Sequence, residues 1–328
     1  MTELITIPNT NTVTESRFPP LSIVGEKFIN SLDCADNSVN TYSRQLREFF
    51  DWIYYAGKPH NLTAWTRQDI LDYKRYLQTE YRIKTPNGKT VPLSPATVSG
   101  YLSIVRKLWS WMEQEGVCVN IAKTIKGMKR SQGYKKDTLS ITQINDALEV
   151  FNLSTMEGLR DYAIFNLMVR TGCRDIEIVR AKVEHLRTLD GHQVLYIHAK
   201  GQDSANQYKV LTPEAERPIR AYMDARKKVQ PFDDDYLFVS LSKRNFMQGL
   251  TTRSVSRIIK TALREIGLDD ERLTAHSLRH TAITLAVAGG ASLHQAQAMA
   301  GHKDPRTTQV YFHNQKRIEE AAEKCINF

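Results

Sequence analysis

Two stretches in the C-terminal half of the chain carry most of its chemical information: residues 274–290, TAHSLRHTAITLAVAGG, and residues 299–313, MAGHKDPRTTQVYFH. The first has helical spacing and places His276 and Arg279 three residues apart on one face. In the second, Asp304 followed by Pro305 is a typical start for a short helix, with Tyr311 at its far end. We therefore expect these three kinds of functional group on neighbouring helices.

The first stretch also places His276 and His280 at the i, i+4 spacing of zinc-binding helices. Those helices need a glutamate beside the first histidine, and Ser277 stands in that position. Arg279 lies between the two histidines and disfavours a cation. The face is better suited to phosphate, because arginine offers a planar fork for two oxygens and histidine can donate or carry a proton.

Two further segments add charged groups to this set. In residues 171–177, TGCRDIE, Arg174 and Glu177 are three residues apart, so a helix here would let the carboxylate fix the guanidinium. Lys200 lies in a turn between two predicted strands. Taken singly, a surface ion pair and a solvated lysine are the ordinary interpretations of these residues.

Together, these residue types match what metal-free phosphoryl transfer requires. Arginines neutralise the non-bridging oxygens of a pentavalent transition state. A histidine assists proton transfer, a tyrosine forms a covalent phospho-enzyme, and a lysine can protonate the leaving alkoxide. The sequence contains no Walker-type loop and no acidic cluster typical of two-metal nucleases, so we expect neither a cofactor nor a metal.

The apolar pattern predicts two domains in the 328 residues, with a flexible tail over residues 1–19. Residues 20–122 have the pattern of a compact all-helical domain, interrupted by a turn or short hairpin at 81–93. Residues 139–328 have the pattern of a mainly helical domain with three antiparallel strands. The strands are predicted at 185–189, 193–199 and 207–211. The fold class is therefore mainly α with a small antiparallel β-sheet.

The positive charge is unevenly distributed. The chain has 45 Lys+Arg and 36 Asp+Glu, a net charge of +9, and residues 20–138 account for +7 of it. Residues 123–138 are predicted to be a basic linker, which either contacts DNA phosphates or is simply solvated. Its basic residues are Lys123, Lys126, Lys129, Arg130, Lys135 and Lys136.

The sequence favours a cytoplasmic protein with no membrane partner. No run approaches the ~18 apolar residues of a membrane span, and residues 1–20 lack an apolar signal region. The cysteines are far apart and have no metal-ligand spacing, so we expect reduced thiols. They are Cys34, Cys118, Cys173 and Cys325.

The order of the candidate residues resembles that of the tyrosine recombinase, or phage integrase, family, which includes Xer-like enzymes. The similarity rests on TGCRDIEIV, HAKG and the two stretches quoted first, and it spans nearly all of residues 139–311. Residues 20–122 resemble the family's core-binding, SAM-like domain. Met299 and Ala300 are a departure, because the family more often has a bulkier leucine beside the glycine that follows.

This resemblance implies roles for the residues that perform the reaction. Tyr311 would attack the scissile phosphate, giving a 3′-phosphotyrosine and a free 5′-hydroxyl. Arg174 and Arg279 would clamp the phosphate. Lys200 would be the general acid that protonates the 5′-oxygen. The bond energy stays in the phosphotyrosine, so neither ATP nor a metal would be needed.

The resemblance also implies supporting roles. His276 would assist proton transfer, and His302 would support the transition state. Glu177 stands where the family has an acidic buttress. His280, directly after the second arginine, is expected to be a packing residue.

The resemblance implies that the partners are double-stranded DNA recombination sites. A homotetramer would bind two such sites and exchange their strands pairwise through a Holliday junction. The segment after Tyr311 would dock on a neighbouring protomer or on its own domain. The biological role is either integration and excision of a mobile element or Xer-like dimer resolution. Whether an accessory protein or a second recombinase takes part remains open.

Two other functions remain open on the sequence alone. A type IB topoisomerase shares the nucleophile chemistry but relaxes DNA without a partner site. A catalytically silent DNA-binding protein could retain the fold. The helical first domain and the C-terminal tail favour a recombinase over a topoisomerase. The complete set of reactive residues argues against a catalytically silent protein.

Overall fold

The structure, a computed structural model, describes residues 20–85, 88–129, 138–198, 204–229 and 236–326, with the backbone alone at 314–319. The chain divides into two compact units, Met1–Gln132 and Gly133–Phe328. The fold is mainly helical with small antiparallel sheets, which confirms the predicted class.

The N-terminal unit is built from four helices and a short hairpin. The helices are α1 (Leu21–Asn30), α2 (Asp36–Tyr55), α3 (Arg67–Thr79) and α4 (Pro95–Gln114), and the hairpin strands are β1 (Arg82–Lys84) and β2 (Thr90–Pro92). The helix starts follow local chemistry: the Ser94 hydroxyl accepts a hydrogen bond from the Thr97 backbone N–H, with Pro95 at the first helical position. The apolar stripes meet in one core around Phe49, Tyr73 and Trp109.

The segment after α4 packs on this unit rather than leaving it directly. Ala122 and Ile125 are buried in its core. The Lys74 ammonium donates to the Lys126 carbonyl, and Arg67 Nε donates to the Thr124 hydroxyl. Among the basic residues predicted for the linker, Lys123, Lys126 and Lys129 are exposed, whereas Arg130, Lys135 and Lys136 lie outside the described residues.

The C-terminal unit surrounds one long, almost fully buried helix, α6 (Met156–Thr171), which includes Ile164, Phe165 and Leu167. Its other helices are α5 (Ile141–Glu149), α7 (Asp175–Val179), α8 (Pro213–Lys227), α9 (Thr252–Glu265), α10 (Ala275–Ala288), α11 (Leu293–Ala300) and α12 (Pro305–Glu319). A 3₁₀ turn, Ala322–Cys325, follows α12.

A three-stranded antiparallel sheet, ordered β3-β4-β5, interrupts the helices of this unit. Its strands are β3 (Leu186–Leu189), β4 (His192–His198) and β5 (Ala205–Val210). Asp190 and Gly191 join β3 to β4 with positive φ angles of 48° and 79°, as a two-residue type I′ turn requires. The predicted hairpin is confirmed. The β4–β5 connection, including Lys200, lies outside the described residues.

The expected position of Tyr311 within its helix is wrong. The sequence analysis places it at the far end of a short helix, but α12 continues to Glu319 and Tyr311 is its seventh residue. Asp304 does start this helix as predicted, since its carboxylate accepts from the Arg306 N–H at 2.9 Å.

Within the described residues, no helix is both long and apolar enough to cross a membrane.

Candidate active site

Arg279 lies at the centre of the candidate site, on α10, with 2% of its surface exposed. Its Nη1 donates to the Gly172 carbonyl at 2.7 Å, and its Nη2 donates to the Ala300 carbonyl. One buried guanidinium thus joins α10 to the ends of α6 and α11. Burial, followed by the positive charge of Arg174, lowers the pKa of Arg279 to about 10, so the side chain stays protonated at neutral pH.

Arg174 is held at the start of α7 by Glu177, as the sequence spacing predicts. The Glu177 carboxylate is completely buried and lies 2.6 Å from Arg174 Nη1, and its second oxygen accepts from the Arg174 backbone N–H at 2.9 Å. A buried carboxylate that receives both bonds holds the guanidinium in one orientation. Arg174 Nη2 also lies 3.5 Å from the Gly301 carbonyl oxygen, so the two arginines face the same turn.

Gly301 shapes that turn. It ends α11 in the left-handed conformation, with φ of 59°. A Cβ at this position would lie 3.1 Å from Gln207 Oε1 and 3.9 Å from Arg174 Nη1. Glycine is required here both by the backbone angle and by the closeness of β5 and Arg174.

His302 follows this glycine and is fixed by α12. Its Nδ1 lies 2.9 Å from the Thr308 hydroxyl, and its backbone carbonyl accepts from Gln297 Nε2 at 3.0 Å. Burial, together with the charges of Arg279 and Arg174, lowers the pKa of His302 to about 4. It is therefore a neutral imidazole at pH 7.

Tyr311 contacts a histidine that the sequence analysis assigns to packing. Its hydroxyl lies 2.5 Å from His280 Nδ1, the two rings stack at 28°, and only 6% of Tyr311 is exposed. His280 thus packs against Tyr311, as expected, and in addition hydrogen-bonds the candidate nucleophile. His276 contacts the His280 ring edge-on, with 4.7 Å between centroids.

Lys209, on β5, is a second residue that the sequence analysis misses. Only 3% of its surface is exposed, and its ammonium donates to the Met299 carbonyl. Burial lowers its pKa, with Arg279 and Arg174 adding to the effect and Cys173 and Glu177 opposing it. Lys209 thus lies close enough to Arg279 and Arg174 to interact with both electrostatically.

The alternation of residues along β5 does not predict that this lysine is buried. Its inward face carries Gln207 and Lys209, whereas Tyr208 and Val210 are about half exposed. An ordinary alternating pattern would instead bury the aromatic and β-branched residues. Only the register against β4 reveals the buried charge.

The described site residues therefore form one cluster. Arg174, Glu177, Arg279 and Tyr311 interact electrostatically, and His302 and His280 border them. Two guanidiniums, a neutral imidazole and a hydroxyl can bind one oxyanion and present a nucleophile to it. Lys200 cannot be placed in this cluster, since it is outside the described residues.

Comparison with known proteins identifies relatives over most of the chain. Residues 137–317 match the phage integrase family model. The chain is 27% identical over 281 residues to the tyrosine recombinase XerD of Listeria monocytogenes, covering 84% of this chain and 88% of that one. It is 30% identical over 235 residues to the tyrosine recombinase XerC of Corynebacterium glutamicum, covering 71% and 72%.

Solved structures share the fold. The XerH site-specific recombinase bound to its palindromic difH substrate superposes with a TM-score of 0.70 at 22% identity, covering 92% of this chain and 84% of that one. The lambda integrase dimer bound to a COC′ core site gives 0.62 at 18% identity, covering 87% and 92%. With the family match over more than half of the sequence, these comparisons show that the chain belongs to the phage integrase family and is a site-specific tyrosine recombinase.

Proposed function

We propose that this recombinase cleaves and rejoins double-stranded DNA through a 3′-phosphotyrosine at Tyr311. The observation that carries the proposal is the position of the Tyr311 hydroxyl in the same cluster as Arg279, which is buried and anchored to two backbone carbonyls. A phosphodiester bound there would place its phosphorus next to a hydroxyl that can attack it.

The residues of the cluster share the work of the reaction in this proposal. Arg279 and Arg174 neutralise the non-bridging oxygens as negative charge develops, and their rigid attachment means that little reorganisation accompanies the reaction. His302 is neutral at pH 7, so with Nδ1 accepting from the Thr308 hydroxyl its one N–H is on Nε2 and donates to the same phosphate. Lys200 protonates the leaving 5′-oxygen, a role that rests on the family resemblance. His276 assists proton transfer, and Glu177 holds Arg174.

The proposed partners are double-stranded DNA recombination sites. XerH and lambda integrase, whose fold this chain shares, have been solved on such DNA. Two sites would be held by a homotetramer that exchanges strands pairwise through a Holliday junction. The exposed turn after α12 would dock on a neighbouring protomer. An enzyme that acts on genomic or plasmid DNA would work in the cytoplasm. Its biological role would be the integration and excision of a mobile element or the resolution of dimers.

A covalent-trapping experiment tests the proposal. A duplex enriched by the protein from a random-sequence pool is rebuilt with a nick next to the cleavage position, so that the cleaved fragment diffuses away. Wild-type protein should give a covalent protein–DNA adduct on a denaturing gel, and Tyr311→Phe should give none. Tyr208→Phe, at an exposed tyrosine of the same unit, is the matched control. An adduct that persists in Tyr311→Phe would contradict the nucleophile assignment.

A further inference from the structure

We propose that His280 is the residue that accepts the proton of Tyr311 as its oxygen attacks the phosphate, a step that rests on the proposed function. The two groups are already in hydrogen-bond contact, at 2.5 Å between the tyrosine oxygen and His280 Nδ1. A general base must lie within about 2.6–3.2 Å of the atom that carries the proton, and apo geometry is often looser than that range. The contact between Tyr311 and His280 meets this requirement of closeness.

Tyrosine needs such a base. A phenol has a pKa near 10, so at neutral pH roughly one molecule in a thousand is ionised. Transfer of the proton to a positioned base during attack contributes about 10²- to 10⁴-fold to the rate of such a step.

The other histidines of the site are placed less well for this step. His302 Nδ1 is engaged by Thr308, and the ring lies beside both arginines, where an added proton is disfavoured. His276 is exposed, and its ring contacts His280 edge-on. The ring contact with His280 assigns His276 to the second position of a relay, next to the base.

His280 is enclosed by groups from three elements. His276 and Arg279 lie on its own helix α10, Tyr311 lies on α12, and His302 precedes α12 and is influenced electrostatically by His280. A proton on His280 would add to the positive charge of Arg279 in the same cluster, and the negative charge of a bound phosphate would offset it.

The step balances in both directions. In cleavage, the Tyr311 O–H bond breaks, the proton moves to His280 Nδ1, the tyrosine oxygen forms the bond to phosphorus, and the 5′-oxygen leaves with a proton from the general acid. In ligation, the 5′-hydroxyl attacks the phosphotyrosine and gives its proton to the group that acted as the acid in cleavage, while His280 returns its own proton to the departing tyrosine oxygen. One residue is the base of the first step and the acid of the second.

The test uses His280→Asn, because the asparagine side-chain oxygen occupies the place of Nδ1 and can accept the hydrogen bond without taking up the proton. His280→Ala removes both functions. His192→Asn, at an exposed histidine at the start of β4, is the matched control. Single-turnover cleavage of the nicked duplex is measured from pH 5.5 to 9.5, and binding of uncleaved duplex by each variant reports that it is folded.

We expect His280→Asn and His280→Ala to slow cleavage at pH 7 by about 10²- to 10⁴-fold, and His192→Asn to leave it unchanged. The rate of both His280 variants should rise with pH up to 9.5, because only spontaneous ionisation of the phenol remains. A duplex with sulfur in place of the leaving 5′-oxygen does not need an acid to protonate the leaving group. This substrate should restore cleavage by Lys200→Ala but not by either His280 variant.

Three outcomes would overturn the proposal. Wild-type cleavage rates in both His280 variants would show no role, and wild-type rates in His280→Asn alone would show that the hydrogen bond positions Tyr311 without proton transfer. Rescue by the sulfur substrate would place His280 on the leaving-group side. By contrast, a wild-type protein that forms no adduct with the selected duplex would refute the proposed function itself.

Discussion

At the scale of single residues, the site is dominated by positive charge held out of water. Arg279, Lys209 and His302 each have a pKa lowered by burial, and the two arginines add to the effect at His302. Such a site is costly without its ligand, since like charges lie close together in a medium of low polarity. In the proposed function, the phosphate of the bound DNA would offset that repulsion.

The depressed pKa of His302 predicts an acid sensitivity. The folded protein holds this histidine with a pKa of about 4, below its ordinary value of 6.5, so between these pH values the unfolded chain binds a proton that the folded chain does not. Its contribution to stability is complete above pH 6.5 and is lost as the pH falls toward 4. The drop in thermal midpoint from pH 7 to pH 5 should be smaller in His302→Asn than in wild type.

His302→Asn is chosen because the amide oxygen can still accept from the Thr308 hydroxyl. His192→Asn, at an exposed histidine, should keep the full wild-type drop. An identical pH dependence in His302→Asn and wild type would show that His302 does not titrate in this way.

At this scale the sequence predicts those residues whose partners are local. Arg174 and Glu177 are three positions apart, and their ion pair forms as the spacing predicts. His280 and Lys209 escape prediction, because their partners, Tyr311 and Met299, are 31 and 90 residues away. These contacts form only when α10, α12 and β5 pack together, so the spacing of residues along the chain does not predict them.

At the scale of elements, the connection from α11 to α12 is constrained more tightly than an ordinary helix end. Gly301→Ala should cost about 1–2 kcal/mol for the left-handed backbone alone. The added methyl would also press on Gln207 and displace the turn that carries His302 and faces Arg174. A misplacement approaching 1 Å can cost about 100-fold in rate, so we expect a cleavage defect as well.

Gly57→Ala provides the comparison. Gly57 has nearly the same φ, 61°, and its Cβ would meet nothing within 4 Å. Gly57→Ala should lose only the backbone cost in urea-unfolding free energy, Gly301→Ala should lose at least as much, and only Gly301→Ala should slow cleavage of the nicked duplex. Equal cleavage by both would mean that the turn tolerates the methyl group.

Elements with strong local signals are the part of the fold that the sequence predicts well. Ser94 with Pro95, Asp304 with Pro305, and the Asp190-Gly191 turn each begin or join an element where expected. The length of α12 is missed because nothing near Tyr311 stops the helix. The sequence does not predict that β5 buries Lys209 and exposes Tyr208 and Val210, because the buried lysine is stabilised by tertiary contacts.

At the scale of the whole molecule, the excess positive charge is concentrated in residues 20–138. Three of its lysines, Lys123, Lys126 and Lys129, are exposed on the segment that packs against α3 and α4. If they bind DNA phosphates, changing all three to Gln should lessen the salt dependence of binding. The slope of log K against log salt should become shallower by about 0.9 for each phosphate that the variant no longer neutralises.

A second triple variant separates phosphate binding by these lysines from the effect of overall charge. Changing the exposed Lys227, Lys228 and Lys243 to Gln lowers the net charge by the same amount in the other unit. Its slope should stay close to the wild-type slope. Equal slopes in the two triple variants would show that only net charge matters, and that the lysines of residues 123–129 do not bind DNA phosphates directly.

The anchoring of Arg279 and Lys209 to main-chain carbonyls has a consequence for how far such an enzyme can diverge. Met299 and Ala300 supply oxygens that every amino acid would supply, provided that the backbone path is kept, whereas Gly172 has a φ of 65° and is itself constrained to glycine. Substitutions of the side chains at Met299 and Ala300 would therefore leave these anchoring oxygens in place. A library that randomises neighbouring side chains to retarget the enzyme should retain a working centre, provided that Gly172, Gly301 and Glu177 are left intact.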